Sequence, residues 1–593
     1  MKTDLKSPPT EPAKVRRFVR PWLILLASTF VILLFAVHLR PGGPRSFPDW
    51  LLASLFLLAA SAAVATALLA TWRLCWWLCS WRNVKRVSVA FGGVVVFIAL
   101  FYAEEDWRGW HAWNQFKQEW EAKGEHFDLA SVVPPPVPDD LNFAMTDIAF
   151  TSYGHYLTRE GKLIPAEERE VPDDVRMRMP LTHKRPAPAN CTGDRVKGQF
   201  TQLDAWQSYY REQGAKRRDF PVPAQPRSPA SDVLLALSKY DAVVDELRRA
   251  NRLPCSRFPL NYDSESPFAI HLPHLAVLKS CAQALQLRSV AELQNDQADK
   301  ALEDARLALQ LADKVRTEPF LISHLVRVAM VQLTLQPIWE GLAGHKWSDA
   351  QLVSLEAELA KLNFPADYSR SVRSELGAQS DEMKLLRRHP ERIQELQGLG
   401  DFDGNRINLP LPVGVAVHLI PAGWFYQNQH RCARMMADCY LPLADASRGT
   451  FSPDLARRGS AALAAQARSV SPYHLLERLI LPPLSNAARK FAYGQASVNL
   501  ARTALALERY RAAHGEFPEG LDSLAPQFIA KVPPDVIGGR PLKYRKEVDG
   551  LFLLYSIGWD ETDDGGEAGF KDDGSLDIGR GDWIWRYPAK AGS

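Results

Sequence analysis

Apolar positions in this chain follow two patterns, unbroken runs near the N-terminus and spaced stripes beyond residue 230. Pro21–Leu39, Trp50–Trp72 and Ser88–Ala103 contain no Asp, Glu, Lys or Arg. The first two are long enough to cross about 30 Å of hydrocarbon as helices. The third is near the lower limit, and its Phe91–Val96 centre fits a span. From Ser231 the stripe Val233, Leu234, Leu237, Tyr240, Val244 and Leu247 recurs at three- and four-residue steps, which predicts an amphipathic helix. Similar periodicity predicts helices over His274–Leu293, Asp296–Val315, Phe320–Leu335, Trp424–Leu443 and Leu484–His514, with a further one from about Tyr473. Ser348 and Gln351 form a capping box ahead of Leu352, Leu355 and Leu359, so another helix opens at Ser348. Trp107–Lys123 reads as an aromatic-rich helix leaving the membrane.

Alanines at 298, 301, 305, 308 and 312 allow close helix contacts. Paired antiparallel helices of this kind resemble tetratricopeptide-type hairpins. The spacing between pairs is not fixed, so the expectation is an irregular helical array rather than a strict repeat. Between membrane and array, Val132–Asp140 with its Pro134-Pro135-Pro136 core reads as a stiff spacer. Residues 141–227 are proline-rich, charged and weakly periodic, which predicts irregular structure with short strands. Residues 396–424 interrupt the array with a Gly/Asp-rich stretch and the apolar run Leu409–Pro421, read as a buried loop because Pro410, Pro412 and Gly414 break it.

Charge decides orientation. Lys2, Lys6, Lys14, Arg16, Arg17 and Arg20 precede the first run, and Arg73, Arg82, Lys85 and Arg86 separate the second from the third. Glu104-Glu105-Asp106 follows the third. By the positive-inside rule the N-terminus is cytoplasmic and residues beyond about 104 are extracytoplasmic. Trp50, Trp72, Trp76, Trp77 and Trp81 suit the interfacial belt. The expected location is therefore a bacterial inner (cytoplasmic) membrane, crossed several times. No convincing small-residue cleavage site follows the first run, so a cleaved signal peptide is not expected. A net charge of +3 over 593 residues gives no argument for nucleic acid as a partner. Seven cysteines without compact spacing make no disulfide framework. Cys432 and Cys439, seven apart on an expected helix, lie about 10 Å apart along its axis, too far for a bond.

The densest candidate chemistry lies in the last hundred residues. A helix ends in Tyr510-x-x-x-x-Gly515-x-Phe517-Pro518, Leu521 and Leu524 follow, and Pro533-Pro534-Asp535 precedes two strands. Tyr544 ends one strand, the other reads Leu554-Tyr555-Ser556-x-Gly558-x-Asp560, and Gly565-Gly566 and Asp582 come after. This order resembles the globular domain of the type II secretion system major pseudopilin, over roughly a sixth of the chain. The resemblance implies a small α+β module and a calcium ion (Ca2+) held by Ser556, Asp560 and Asp582. Asp563 and Asp564 are added as metal candidates on composition, because carboxylates are hard oxygen donors. An acidic turn without an ion fits the same residues, since Asp and Gly are good turn formers. Two features depart from the family: Arg16–Pro21 holds no leader motif, and the module stands at the far end of a three-span chain. Strands are expected at Leu542–Arg545, Leu551–Ser556 and Trp583–Arg586.

Elsewhere the signals are thinner. His271 and His274 flank Pro273 and suit a helix start as well as acid–base work. Asp401, Asp403, Gly404 and Asn405 give part of a calcium loop without its terminal Glu. Asn190-Cys191-Thr192 is a formal glycosylation acceptor. Walker, Gly-x-Ser-x-Gly and Gly-x-Gly-x-x-Gly patterns are absent from the sequence. The expected organisation is multi-domain: three transmembrane helices in 1–103, a Pro-rich linker and irregular segment in 104–230, the array in 231–483, and the pseudopilin-like module in 484–593. The expected function is that of a membrane-anchored scaffold or interaction protein of the cell envelope, secretion-related, meeting envelope proteins through the array. No small-molecule substrate is identified. The alternative is an extracytoplasmic hydrolase at the array, with His271 or His274 as base.

Overall fold

A computed structural model describes residues 11–38, 47–78, 81–153, 176–182, 188, 191–217, 220–393, 417–467, 471–474, 476, 484–547 and 550–586. It is 65% helical, and the chain divides into two compact units, Met1–Glu104 and Glu105–Ser593. Asp401, Asp403, Gly404, Asn405 and Asn190 lie outside the described residues.

In the first unit, α1 (Glu11–His38) packs on α2 (Phe47–Leu78). The packing follows a four-residue stripe on α2: Leu57, Ser61, Ala65 and Leu69 are buried while their neighbours face outward. Ser61 and Ala65 are small enough to let the backbones approach, as helix pairs in lipid require. The Ser61 hydroxyl returns its proton to the Leu57 carbonyl at 2.6 Å, leaving no unsatisfied donor in the contact. A third helix, α3 (Trp81–Glu121), begins with side chains that are nearly all exposed from Val87 to Phe101.

Among the described residues, the second unit is built round one large apolar core that runs from Trp113 to Trp585. Its entry is the far end of α3, where Glu105, Gly109, Trp113 and Phe116 form the buried stripe. The array comprises α4 (Leu203–Arg217), α5 (Pro229–Leu237), α6 (Asp241–Ala250), α7 (Pro273–Gln294), α8 (Ala298–Asp313), α9 (Leu321–Ala343), α10 (Asp349–Leu359) and α11 (Phe364–Arg388). It continues with α12 (Ala422–Met435), α13 (Pro453–Ala467) and α14 (Leu484–His514). The expected helix starts hold where local chemistry fixes them. Pro273 occupies the first turn of α7, where its missing N–H costs nothing, and both halves of the Ser348–Gln351 capping box are formed. α9 packs on α7, α8, α11 and α14 at once. It therefore continues through Pro337 to Ala343, eight residues past the predicted end, because four neighbours hold it helical.

α4 corrects the expectation of irregular structure in 141–227: Leu203, Trp206, Tyr210 and Gln213 are buried at helical spacing. A short antiparallel pair, β1 (Ala444–Asp445) and β2 (Thr450–Phe451), precedes α13, and the expected strands appear as β3 (Lys543–Lys546), β4 (Phe552–Ser556) and β7 (Trp583–Arg586), an antiparallel sheet in the order β3-β4-β7. A two-stranded pair, β5 (Ala568–Phe570) and β6 (Leu576–Gly581), lies between β4 and β7 in sequence. The sheet alternates as a pleat requires: Leu554, Trp583 and Trp585 join the main core against α14, while Leu553, Tyr555 and Ile584 cluster with Val196 on the other face.

Candidate functional site

The C-terminal loop wraps the β6–β7 junction by backbone capture. Gly558 has φ +72°, and a Cβ there would stand 2.1 Å from the Gly581 carbonyl oxygen, so only glycine lets the strand end come this close. Asp560 then uses both oxygens on backbone N–H groups, of Thr562 at 3.2 Å and Gly581 at 2.7 Å. Asp563 accepts from the Tyr555 hydroxyl at 3.0 Å and pairs with Lys543 at 2.9 Å; the Lys543 bond is the main reason its carboxyl lies below the ordinary range. The Ser556 hydroxyl donates to Asp535 at 2.7 Å. Asp535 is buried and also accepts from the N–H groups of Ile537 and Ile557. It is the residue that sequence reasoning left out of the site, although it was visible as the Asp of Pro533-Pro534-Asp535.

Asp582 differs from the other acids. It is fully buried, one oxygen accepts from Gly566 N–H at 2.6 Å, and the other has no partner. Burial pushes its carboxyl up to about 6; the Gly566 N–H opposes this, and the charges of Asp563 and Asp564 add to it. The loop thus brings Asp560, Asp563, Asp564 and Asp582 to one junction but spends most of their oxygens on backbone and Lys543. Among the described residues no three His, Cys, Asp or Glu side chains form a metal-holding group.

The histidines diverge. His271 is exposed, whereas His274 is sealed. His274 Nδ1 is hydrogen-bonded to the Tyr153 hydroxyl, and its Nε2 meets Glu318 at 2.5 Å. The Phe258 ring stacks on it with centroids 4.1 Å apart. The other Glu318 oxygen accepts from Ser323, and the Glu318 carbonyl accepts from His324 Nε2 at 2.8 Å. Burial first, then the Arg327 guanidinium, holds His324 down to about 3, so it is neutral at ordinary pH. Arg327, also buried, bridges Asp367 and Asp313. Neither of the two large concavities reaches His274.

Those concavities lie on the array. One, of about 680 Å³, is bounded by α6, α8 and the end of α10. Most of its cations are already paired: Arg306 and Lys361 with Glu358, Arg248 with Asp304, Arg316 with Asp313, and Lys314 with the carbonyls of Asn251 and Leu253; Arg252 alone has no such partner among the described residues. The other, of about 1020 Å³, lies between α7, α9 and the start of α14, with 178–182 and 192–195 along its rim. No known protein family, curated protein or solved structure matches the chain.

Proposed function

We propose that this protein is a membrane-anchored, extracytoplasmic scaffold or interaction protein of the bacterial cell envelope, secretion-related, with its array as the contact surface and a pseudopilin-like α+β module at its C-terminal end. The observation that carries the reading is where apolar surface is left bare. Of the large hydrophobic side chains that stand exposed among the described residues, all but six fall between Leu23 and Trp110. Such a band is stable against lipid and costly against water. Beyond it, the buried acid–base groups round His274 are paired with one another, which suits a packed core better than a reacting centre. An alkaline phosphatase-type reporter fused after residue 130 should be active and one fused near Val84 silent; the reverse pattern would sink the reading.

Calcium belongs to the same proposal. Asp582, with its unpartnered buried oxygen, and the neighbouring Asp564 and Asp563 are the residues that would hold the ion. The ion would supply the positive charge that a carboxylate pushed up to about 6 lacks. Calcium should then raise the melting temperature of the full-length protein by a few degrees, roughly as one ligand at a hundred times its Kd does. Asp582→Asn should remove that response. A melt indifferent to calcium and chelator alike reduces the loop to an acidic turn.

A further inference from the structure

We infer that the groove between α7, α9 and α14 is a docking site for an extended, acid-rich peptide segment of a partner protein. This rests on the interaction reading above and names the chemistry of the partner.

The first reason is unspent charge. Arg178, Lys279 and Lys490 line the groove, are exposed, and have no hydrogen-bond or ion-pair partner among the described residues. The single carboxylate on its lining, Asp194, is already engaged: it accepts from the N–H groups of Val196 and Lys197 and lies 3.9 Å from the Lys197 ammonium. Three cations therefore line the space with no anion among the described residues to balance them. The smaller concavity differs in degree, because there every cation but Arg252 is held by Glu358, Asp304, Asp313 or backbone carbonyls.

The second reason is an unused donor in the wall. Arg195, almost buried, donates to the Gln332 carbonyl oxygen and to Ser497 at 3.2 Å. That bond fixes which way the Gln332 amide faces, and its Nε2 is buried with no acceptor. A buried donor left unmade is costly, and a ligand backbone carbonyl or carboxylate satisfies it. Leu325 and Val328 of α9 add apolar wall beside it.

Together these select the occupant. A lone phosphate-sized anion fills a small part of about 1020 Å³ and leaves the apolar wall wet. Nucleic acid needs a longer positive track and exposed stacking rings, and the chain's net charge of +3 supplies no such excess. An extended peptide alternating carboxylate and apolar side chains meets the cations, the wall and the Gln332 donor in one pose.

The test uses full-length protein in nanodiscs and a fluorescein-labelled twelve-residue peptide of alternating Glu and Leu. Binding is expected, at least tenfold tighter than that of the same peptide with Gln for Glu. Lys279→Glu with Lys490→Glu should weaken it at least tenfold, and Gln332→Leu several-fold. The exposed Lys531→Glu should leave it unchanged. Equal affinity for the Glu and Gln peptides, an equal loss in the Lys531→Glu control, or displacement by inorganic phosphate at the peptide's own concentration overturns the proposal. A photo-crosslinker at position 279 in cells, compared with one at Val353 on α10, separates the two levels of inference. Protein adducts at 353 and none at 279 overturn the groove and keep the interaction reading. No adducts at either position count against both.

Discussion

Two helices of similar apolar texture sit in opposite surroundings. The apolar window of α3 has a mean hydropathy of 2.0 and no buried residues, whereas α9 has 1.3 and is two-thirds buried within its unit. By length and composition both qualify to cross a membrane, as does Ser54–Cys75 of α2. The difference lies in a handful of polar positions. α9 carries Ser323, His324, Arg327, Gln332, Gln336 and Glu340, and each one that is buried meets a named partner from a neighbouring element or its own turn. The window of α3 has nothing of that kind. A helix that is apolar all round is buried in something, and its few polar groups tell whether that something is protein or lipid.

The largest effect should come from placing the same charge in both. Val331→Asp puts a carboxylate at a fully buried position of α9, at a cost above about 4 kcal/mol, and should abolish cooperative melting of the protein. Val95→Asp in α3 should leave the melt unchanged and reduce the membrane-bound fraction, reflecting about 3 kcal/mol of insertion cost. If Val95→Asp unfolded the protein as thoroughly, the exposed face of α3 would be a protein contact and the comparison would fail.

Next in size is the polar seam of α9 itself. Arg327→Leu strips Asp367 of its buried counter-ion and should cost about 3–5 kcal/mol by chemical denaturation. Adding Asp367→Leu should recover most of that, since the penalty belongs to the unpaired charge. The smallest effect is on pH. His324 is held down to about 3 when folded and returns to its ordinary value, near 6.5, when unfolded. The unfolded chain therefore binds the extra proton, and stability falls as pH drops below about 6.5 and goes on falling towards 3. Between pH 7 and 5 this group alone should remove about 1–2 kcal/mol. His324→Gln should lack that loss, seen as a flatter pH dependence than that of the parent protein. Asp582 acts in the opposite sense, gaining stability as the pH falls towards 4, so the comparison must be made against the parent at each pH.

Much of the helical skeleton was legible because it depends on local chemistry. The capping box at Ser348, the proline at 273 and the glycine at 515 set boundaries that tertiary packing then kept. Two kinds of element escaped. α4 keeps its stripe of Leu203, Trp206 and Tyr210, but proline and charge on either side hid it. β5 and β6 contain Gly569, Gly579 and Gly581, whose weak strand preference gives no signal until a partner strand supplies one. At the C-terminal loop the spacing draws attention to the acids. Spacing alone does not reveal that Asp560 faces backbone N–H groups, that Ser556 faces Asp535, or that Asp582 keeps one oxygen bare. The backbone turns at the positive-φ glycines 558 and 566 are part of that geometry, and spacing between acids does not encode them.

The Trp339 indole N–H, deep in the core, donates to the carbonyl of Arg586 at 2.7 Å across 247 residues of sequence. At a synthesis rate of about 5–20 residues per second, the strand bearing that acceptor is made roughly 12–50 s after the tryptophan. Throughout that interval α9, long and apolar enough to cross a membrane, exists without its last wall. A nascent chain in this condition has two apolar helices of spanning length behind it, and α9 is the third. Until β7 arrives, the burial of α9 rests on α7, α8 and α11 and, once it is made, on α14, so most of its wall is in place before the strand that completes it.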